Sequence, residues 1–339
     1  MTGDSKGKVV EVPEGGRRYQ DDLEVGEPIK KMQNNITIIV LLGFQDLHNF
    51  KILLFFILLI IYSLTLLGNI FIISLVSLSR NLHSPMYFFI TQVSVFDILL
   101  TTDIVPNMFS IILNDGGTIS LQCCIVQFYM FANAEATECL LLAVMSYDRY
   151  LAICNPFHYG TLMSSMTCLK FIVFTWLLSF AMTLSDAIAT WNLTFCGTNI
   201  IDHFFCDFTP LLGLACSNAT IVHIQTFLFC VVVLICPFIT IVVSYIYIVY
   251  TIIKIPSISG RKKAFSTCSS HLTVVCLFYG ALISVYVVPT KGHSLIINKV
   301  LALFYTVMTP LLNPIIYTLR NQDFKEAFMK WRHNFHPNI

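Results

Sequence analysis

Met145-Ser-Tyr-Asp-Arg-Tyr-Leu-Ala-Ile-Cys-Asn-Pro-Phe-His-Tyr159 puts an acid and an arginine side by side at the end of a long apolar run. An arginine is costly inside hydrocarbon, and Asp148 next to Arg149 can hold the charge there and later release it to a partner. A lone arginine at a membrane edge more often snorkels to the headgroups. Here Asp148 precedes the arginine, Tyr150 follows it and Pro156 ends the segment shortly after, a context that favours a held charge.

The 339 residues are 56% hydrophobic and only 12% charged, against about a quarter charged in a soluble domain. The chain is therefore read as an integral membrane protein. A net charge of +1 gives no reason to expect nucleic acid as a partner. Apolar runs long enough for a hydrocarbon core of about 30 Å lie at 50–78, 85–113, 121–153, 167–190, 222–254, 265–289 and 296–319. Seven crossings put the two ends on opposite sides of the membrane. Arg80, Arg149, Lys170, Lys254, Arg261, Lys262, Lys263, Arg320, Lys325, Lys330 and Arg332 fall on one side, and only Lys291 and Lys299 on the loops of the other. The basic side is cytoplasmic, although Lys30, Lys31 and Lys51 dissent.

Residues 1–49 read as an extracellular and mostly disordered tail, because mixed charge with little apolar content up to Lys31 cannot bury enough surface to fold. The tail has no run of signal-peptide type. Asn35-Ile-Thr37 is a glycosylation sequon beside the first span, with Asn192-Leu-Thr194 and Asn218-Ala-Thr220 as weaker candidates closer to the membrane. Residues 50–320 form the expected all-α bundle of seven transmembrane helices. Residues 321–339 form a cytoplasmic tail with a short amphipathic helix. Five of the twelve cysteines, Cys123, Cys124, Cys196, Cys206 and Cys216, lie on the oxidising side, where bonds can tie down the long loop after Trp191. A zinc site at His203-Phe-Phe-Cys206-Asp207 lacks paired ligands at metal spacing. Pro237 and Pro314 are expected bends within spans. Asn69, Asp97, Glu138 and Asn313 are polar residues within four different spans, and such residues face the bundle interior.

Further stretches carry a resemblance. They are Gly68-Asn69, Leu82-His-Ser-Pro-Met-Tyr-Phe-Phe89, Ser244-Tyr245, Lys263-Ala-Phe-Ser-Thr-Cys-Ser-Ser-His-Leu272 and Pro310-Leu-Leu-Asn-Pro-Ile-Ile-Tyr-Thr-Leu-Arg-Asn321. Together with Asp148-Arg149-Tyr150 they resemble, in order, the segments of olfactory receptors within the rhodopsin-like G-protein-coupled receptors. The resemblance covers about residues 34–331. Phe278-Tyr279-Gly280 stands where other rhodopsin-like receptors carry a tryptophan and a proline, as is normal for odorant receptors. The first thirty or so residues of the tail exceed the usual family length and carry no interpretable motif.

The resemblance implies a plasma-membrane, multi-pass receptor with no enzymatic activity. It would bind a small odorant in a cavity of the outer half of the bundle and activate a stimulatory heterotrimeric G protein, raising cyclic AMP. The implied odorant contacts are Phe131, Ala132, Glu135, Ala136, Phe229, Tyr279, Leu282, Ile283, Tyr286 and Thr306. The coupling and switch residues are Asp148, Arg149, Tyr150, Tyr245, Asn313, Pro314 and Tyr317. Within that arrangement the third span and the long loop meet above the cavity, and the expected bonds are Cys124–Cys206 and Cys196–Cys216, with Cys123 left over. Apart from odorant, G protein and membrane lipid, no partner or cofactor is implied except a sodium ion at Asp97 and Glu138. The alternative for that pair is a shared proton. Glu135, one turn from Glu138, has two readings as well: it selects amines or strong hydrogen-bond donors, or it is protonated and joins the network below. Competing classes are a receptor for a non-odorant small molecule and a transporter or channel. The sequence has neither the internal repeats nor the matching half-helices common in transporters, and no nucleophile–base set.

Overall fold

In helix α1, Lys51–Leu78, the buried residues Leu58, Thr65, Asn69, Ile72 and Val76 recur every three, four or seven positions, while Ile57, Leu64, Leu67 and Ile70 face outward. That is the stripe of a helix packed on one side and bathed in lipid on the other. The computed structural model describes residues 36–44, 50–286 and 295–335. Asn35 and its sequon lie outside the described residues. α2 (Pro85–Leu113) begins with proline at its first turn, where no N–H partner is needed. α3 (Leu121–Cys154) is capped by Ser120, whose Oγ accepts the Cys123 N–H at 3.1 Å. A short α4 (Pro156–Leu162) follows, and then α5 (Ser165–Trp191), capped by Ser164. After a long outer loop containing α6 (Phe208–Leu212), the fifth span is built of α7 (Thr220–Phe229), a π-helical stretch (Cys230–Ile235) and α8 (Cys236–Lys254).

The sixth span is α9 (Ile258–Tyr286). It begins earlier than its apolar run, because residues 258–267, with Arg261 and Lys262, form a polar helical extension. The seventh span combines α10 (Leu295–Leu303), a second π-helical stretch (Phe304–Met308) and α11 (Thr309–Arg320). Both π stretches have the same cause. Pro237 and Pro310 each lack the N–H that would close a normal turn, and the preceding turn widens, so that the Cys236 N–H reaches Val231 O and the Thr309 N–H reaches Phe304 O. In the seventh span the irregularity therefore precedes Pro310. Pro314 sits within α11, its ring so close to Gly68 that any β-carbon there would approach it to 3.1 Å. Asn69 Nδ2 donates to Pro310 O at 3.2 Å, fastening the first and seventh spans together.

Burying apolar surface gives helices little reason to associate in lipid, so small and hydroxyl side chains hold the interfaces. Between α3 and α5, the Thr137 and Ser179 hydroxyls share a hydrogen bond of 2.7 Å and Asn133 Nδ2 donates to Thr183 Oγ1 at 3.3 Å. Each such bond is worth about 1 kcal/mol. At the inner end the amphipathic α12 (Gln322–Phe335) buries Phe324 and Ala327, and its Asp323 accepts the Tyr87 hydroxyl at 2.6 Å.

The outer end carries a three-stranded sheet that composition did not suggest. β1 (Ile38–Leu41) pairs antiparallel with β2 (Gly117–Ser120), Ile38 opposite Ser120, and parallel with β3 (Ile200–Ile201), Val40 opposite Ile200. Part of the extracellular tail is thus ordered, because Ile36, Ile39 and Leu41 bury their side chains with Ile111, Ile125, Phe195 and Ile201. Gly43 turns the chain after β1 with φ +62°, beside Ile111, where a β-carbon would clash.

Candidate functional site

The sulfurs of Cys124, in the first turn of α3, and Cys206 are joined, as are those of Cys196 and Cys216. Cys123 is free and exposed. The first bond pins the outer loop onto α3, and the Cys206 N–H is further held by Gln127 Oε1 at 3.0 Å. Behind this cap His203 stacks on Phe204 and meets Phe205 edge-on, with ring centroids 4.6 and 4.7 Å apart. Burial and, secondarily, the Lys299 charge push His203 down to a pKa of about 4. Lys299 is not a free outer-loop charge. It lies in α10, 7% exposed, donating to Gly43 O at 2.6 Å and paired with Asp202.

Beneath the cap is a cavity of about 180 Å³ between α3, α5, the fifth span and the outer loop. Six expected odorant contacts line it: Phe131, Ala132, Glu135, Ala136, Phe229 and Leu282. Three do not. Ile283 is 47% exposed, since the residue after Leu282 is turned about 100° away around the helix. Tyr279 is buried with its ring against Phe238 and Phe278, and Thr306 uses its hydroxyl on Ala302 O at 2.7 Å. The Tyr286 side chain lies outside the described residues. The lining also includes residues that sequence reasoning did not find: Phe128 and Cys139 on α3, Thr183 and Asp186 on α5, Asp207 and Phe208 from the loop, and Thr226, Cys230, Val233 and Leu234 on the fifth span. The π stretch accounts for three of these, because a widened turn re-aims its side chains. Asp207 caps α6 through the Phe208 N–H at 2.8 Å, and burial pushes its carboxyl up to about 6.

Below the cavity, Asn313 Nδ2 faces Asp97 Oδ1 and Oδ2 at 3.1 and 3.2 Å and Glu138 Oε1 at 3.0 Å. All three residues are at most 3% exposed. The carboxyl oxygens of Asp97 and Glu138 are hard donors that suit a small hard cation, whereas Asn313 presents its amide nitrogen and offers no ligand in this orientation. Among the described residues no cluster of three or more His, Cys, Asp or Glu could hold a metal ion.

At the inner end Arg149 Nε donates to Asp148 Oδ2 at 2.8 Å, and its Nη2 contacts the same oxygen. The other oxygen accepts from Tyr159 Oη on α4 at 2.8 Å. Burial first and the Asp148 charge second hold the Tyr159 phenol above its ordinary value. Tyr150 leans on Tyr147 and Tyr247. Tyr245 shares a hydrogen bond of 2.8 Å with His271 Nδ1, while His271 Nε2 lies 3.2 Å from Leu142 O. A carbonyl only accepts, so Nε2 carries the proton and Nδ1 takes the tyrosine hydrogen. His271 thereby ties the third, fifth and sixth spans together. Tyr317 is buried, its hydroxyl without a hydrogen-bond partner among the described residues.

A multi-pass helical bundle with a capped apolar cavity at one end and a caged arginine at the other defines the seven-helix membrane receptors. The family profile described as "Olfactory receptor" matches residues 58–333. Olfactory receptor 11L1 of Homo sapiens is 47% identical over 88% of this chain and 92% of its own length. Olfactory receptor 11A1 of Homo sapiens is 43% identical over 90% and 96%, and olfactory receptor 1M1 of Mus musculus 43% over 86% and 93%. The chain belongs to the olfactory receptor family.

Proposed function

We infer that this chain is a plasma-membrane odorant receptor that passes occupancy of its outer cavity to a stimulatory heterotrimeric G protein, raising cyclic AMP. The observation that carries this reading is the course of α3. One continuous helix of 34 residues lines the cavity from Phe128 to Cys139 and carries Asp148 and Arg149 at its other end. A ligand that prefers one position of α3, relative to the fifth and sixth spans, shifts the population of both ends together.

In the resting arrangement Arg149 is occupied by Asp148, and His271 closes the third, fifth and sixth spans over it. Outward movement of the sixth span separates His271 from Leu142, frees Arg149 for the partner and leaves Tyr245 and Tyr317 to hold the open form. Asn313 and Pro314 lie where the seventh span must adjust. Phe157, 96% exposed on α4, offers an apolar anchor beside the freed arginine. A sodium ion at Asp97 and Glu138 would hold the resting form, since two buried carboxyls then need no shared proton.

The test is a heterologous cell without endogenous odorant-gated channels, in which odorant-dependent cyclic AMP and odorant-dependent current are measured side by side. A cyclic AMP rise that depends on the stimulatory G protein is the expected result. Current without cyclic AMP would mean a channel instead.

A further inference from the structure

Glu135, Asp186 and Asp207 come from α3, α5 and the outer loop and line one cavity. Asp186 is 6% exposed and makes no hydrogen bond or ion pair among the described residues. Glu135 Oε2 is buried and also without a hydrogen-bond partner there. Among the described residues nothing cationic lines the cavity. The chain has no lysine or arginine from Asn81 to Asp148 or from Phe171 to Ile253, which removes α2, the whole of α3 above Arg149, most of α5, the outer loop and nearly all of the fifth span as sources. Lys299, in the middle of α10, is already committed to Asp202 and Gly43.

Carboxyls in an apolar cavity must be neutral or be matched by a cation. The remaining lining is mostly aromatic and aliphatic and includes Phe131, Phe208 and Phe229, and aromatic rings also attract an organic cation. We propose that the cavity selects odorants bearing an ammonium group, with the charge received between Glu135, Asp186 and Asp207 and the hydrocarbon body against the three phenylalanines. This deepens, and rests on, the odorant-receptor reading. A neutral ligand of the same shape leaves the three acids unmatched, and sites of that kind reject the analogue lacking the partner group more strongly than apolar pockets reject a missing methylene.

The experiment pairs linear, cyclic and aromatic alkylamines with alcohols of the same skeleton, on cells expressing the full chain, with cyclic AMP as readout and surface labelling alongside. Amines should act at concentrations at least about tenfold below those of their alcohols, and Glu135→Gln and Asp186→Asn should each raise the amine concentration required by about tenfold or more. The amide side chains imitate neutral acids. If both variants keep amine potency within about threefold of wild type, the acids carry no charge toward the ligand and the inference fails. If alcohols match or outdo amines in wild type, the ligand class is wrong while the receptor reading stands; this comparison also decides the matter should the variants not reach the surface. If no odorant raises cyclic AMP, thermal stabilisation of the purified receptor is read instead. Stabilisation by amines and not alcohols keeps the ligand class and removes the G-protein reading; no stabilisation by amines overturns the inference.

Discussion

Arg149 keeps only 11% of its side chain exposed, and the Asp148 beside it is fully buried. A buried pair of this kind is weak evidence for stability, because desolvation consumes most of the Coulombic gain. Its value lies in what the arginine can do when released. Arg149→Ala strands the fully buried Asp148 with Tyr159 as its remaining donor, so it is expected to reach the surface in reduced amount and, per receptor at the surface, to abolish the odorant-evoked cyclic AMP rise. A normal response from surface-expressed Arg149→Ala would remove the arginine from the coupling mechanism. The pair Asp97 and Glu138 carries a second prediction. An ion bound only to the folded receptor stabilises it by mass action, so the purified receptor should melt higher in sodium than in choline chloride at equal ionic strength. Asp97→Asn should erase the difference. Equal melting of wild type in the two salts would leave the shared proton as the account of this pair. These residues were legible in the sequence because a charge inside an apolar run stands out locally. Tyr159 and His271 were not: each acts through a partner on another element, and nothing in their neighbourhoods marks the Asp148 oxygen or the Leu142 carbonyl as that partner.

At the scale of elements, the outer cap holds two titrating groups that oppose each other. His203 is buried, neutral and lowered to about 4, so between there and its unfolded value of about 6.5 the unfolded chain binds the extra proton and stability falls as pH falls. Asp207, raised to about 6, binds its proton more readily in the folded cap, so below that pH stability rises as pH falls. His203→Gln exposes the Asp207 contribution and should become more stable on acidification, whereas Asp207→Asn should lose stability, by at most about 3 kcal/mol at about 1.4 kcal/mol per pKa unit. Parallel profiles for the two variants would contradict this assignment. The elements differ in how far sequence reveals them. A transmembrane helix closes its hydrogen bonds within one continuous stretch, and local hydropathy marks it. β1 depends on residues 117–120 and 200–201, and no property of Ile38–Leu41 alone distinguishes a strand from a run of apolar tail. The π stretches fall between: Pro237 and Pro310 announce a disturbance, but which turn widens depends on packing.

For the whole molecule, the same distinction separates the bundle from its cavity. Crossing number and orientation follow from sums along the chain, whereas Asp186 and Asp207 reach the cavity only because α5 and the disulfide-held loop converge on α3. Lys299 is the sharpest case. Counted along the chain it is one of the few basic residues on the outer side; in space it joins α10 to Asp202 on the loop and, through the Gly43 carbonyl, to the segment following β1. Three stretches separated by more than 90 residues each thus meet at one ammonium group. Lys299→Met keeps the bulk of the side chain but strands a carbonyl and a carboxylate. The Asp202 side chain is 33% exposed and stays partly hydrated, so the expected cost is about 1–3 kcal/mol, as for a lost charged hydrogen bond, rather than the 3–5 kcal/mol of a fully buried pair broken on one side. The cap should loosen before the bundle does, so odorant dissociation should quicken in Lys299→Met while the Arg149-dependent maximal response is retained. Asp202→Asn combined with Lys299→Met should cost less than the two single changes added together, because the second substitution removes the group that the first left unmatched. Strict additivity in thermal unfolding of the purified receptor would show that the ion pair does not couple the loop to the seventh span.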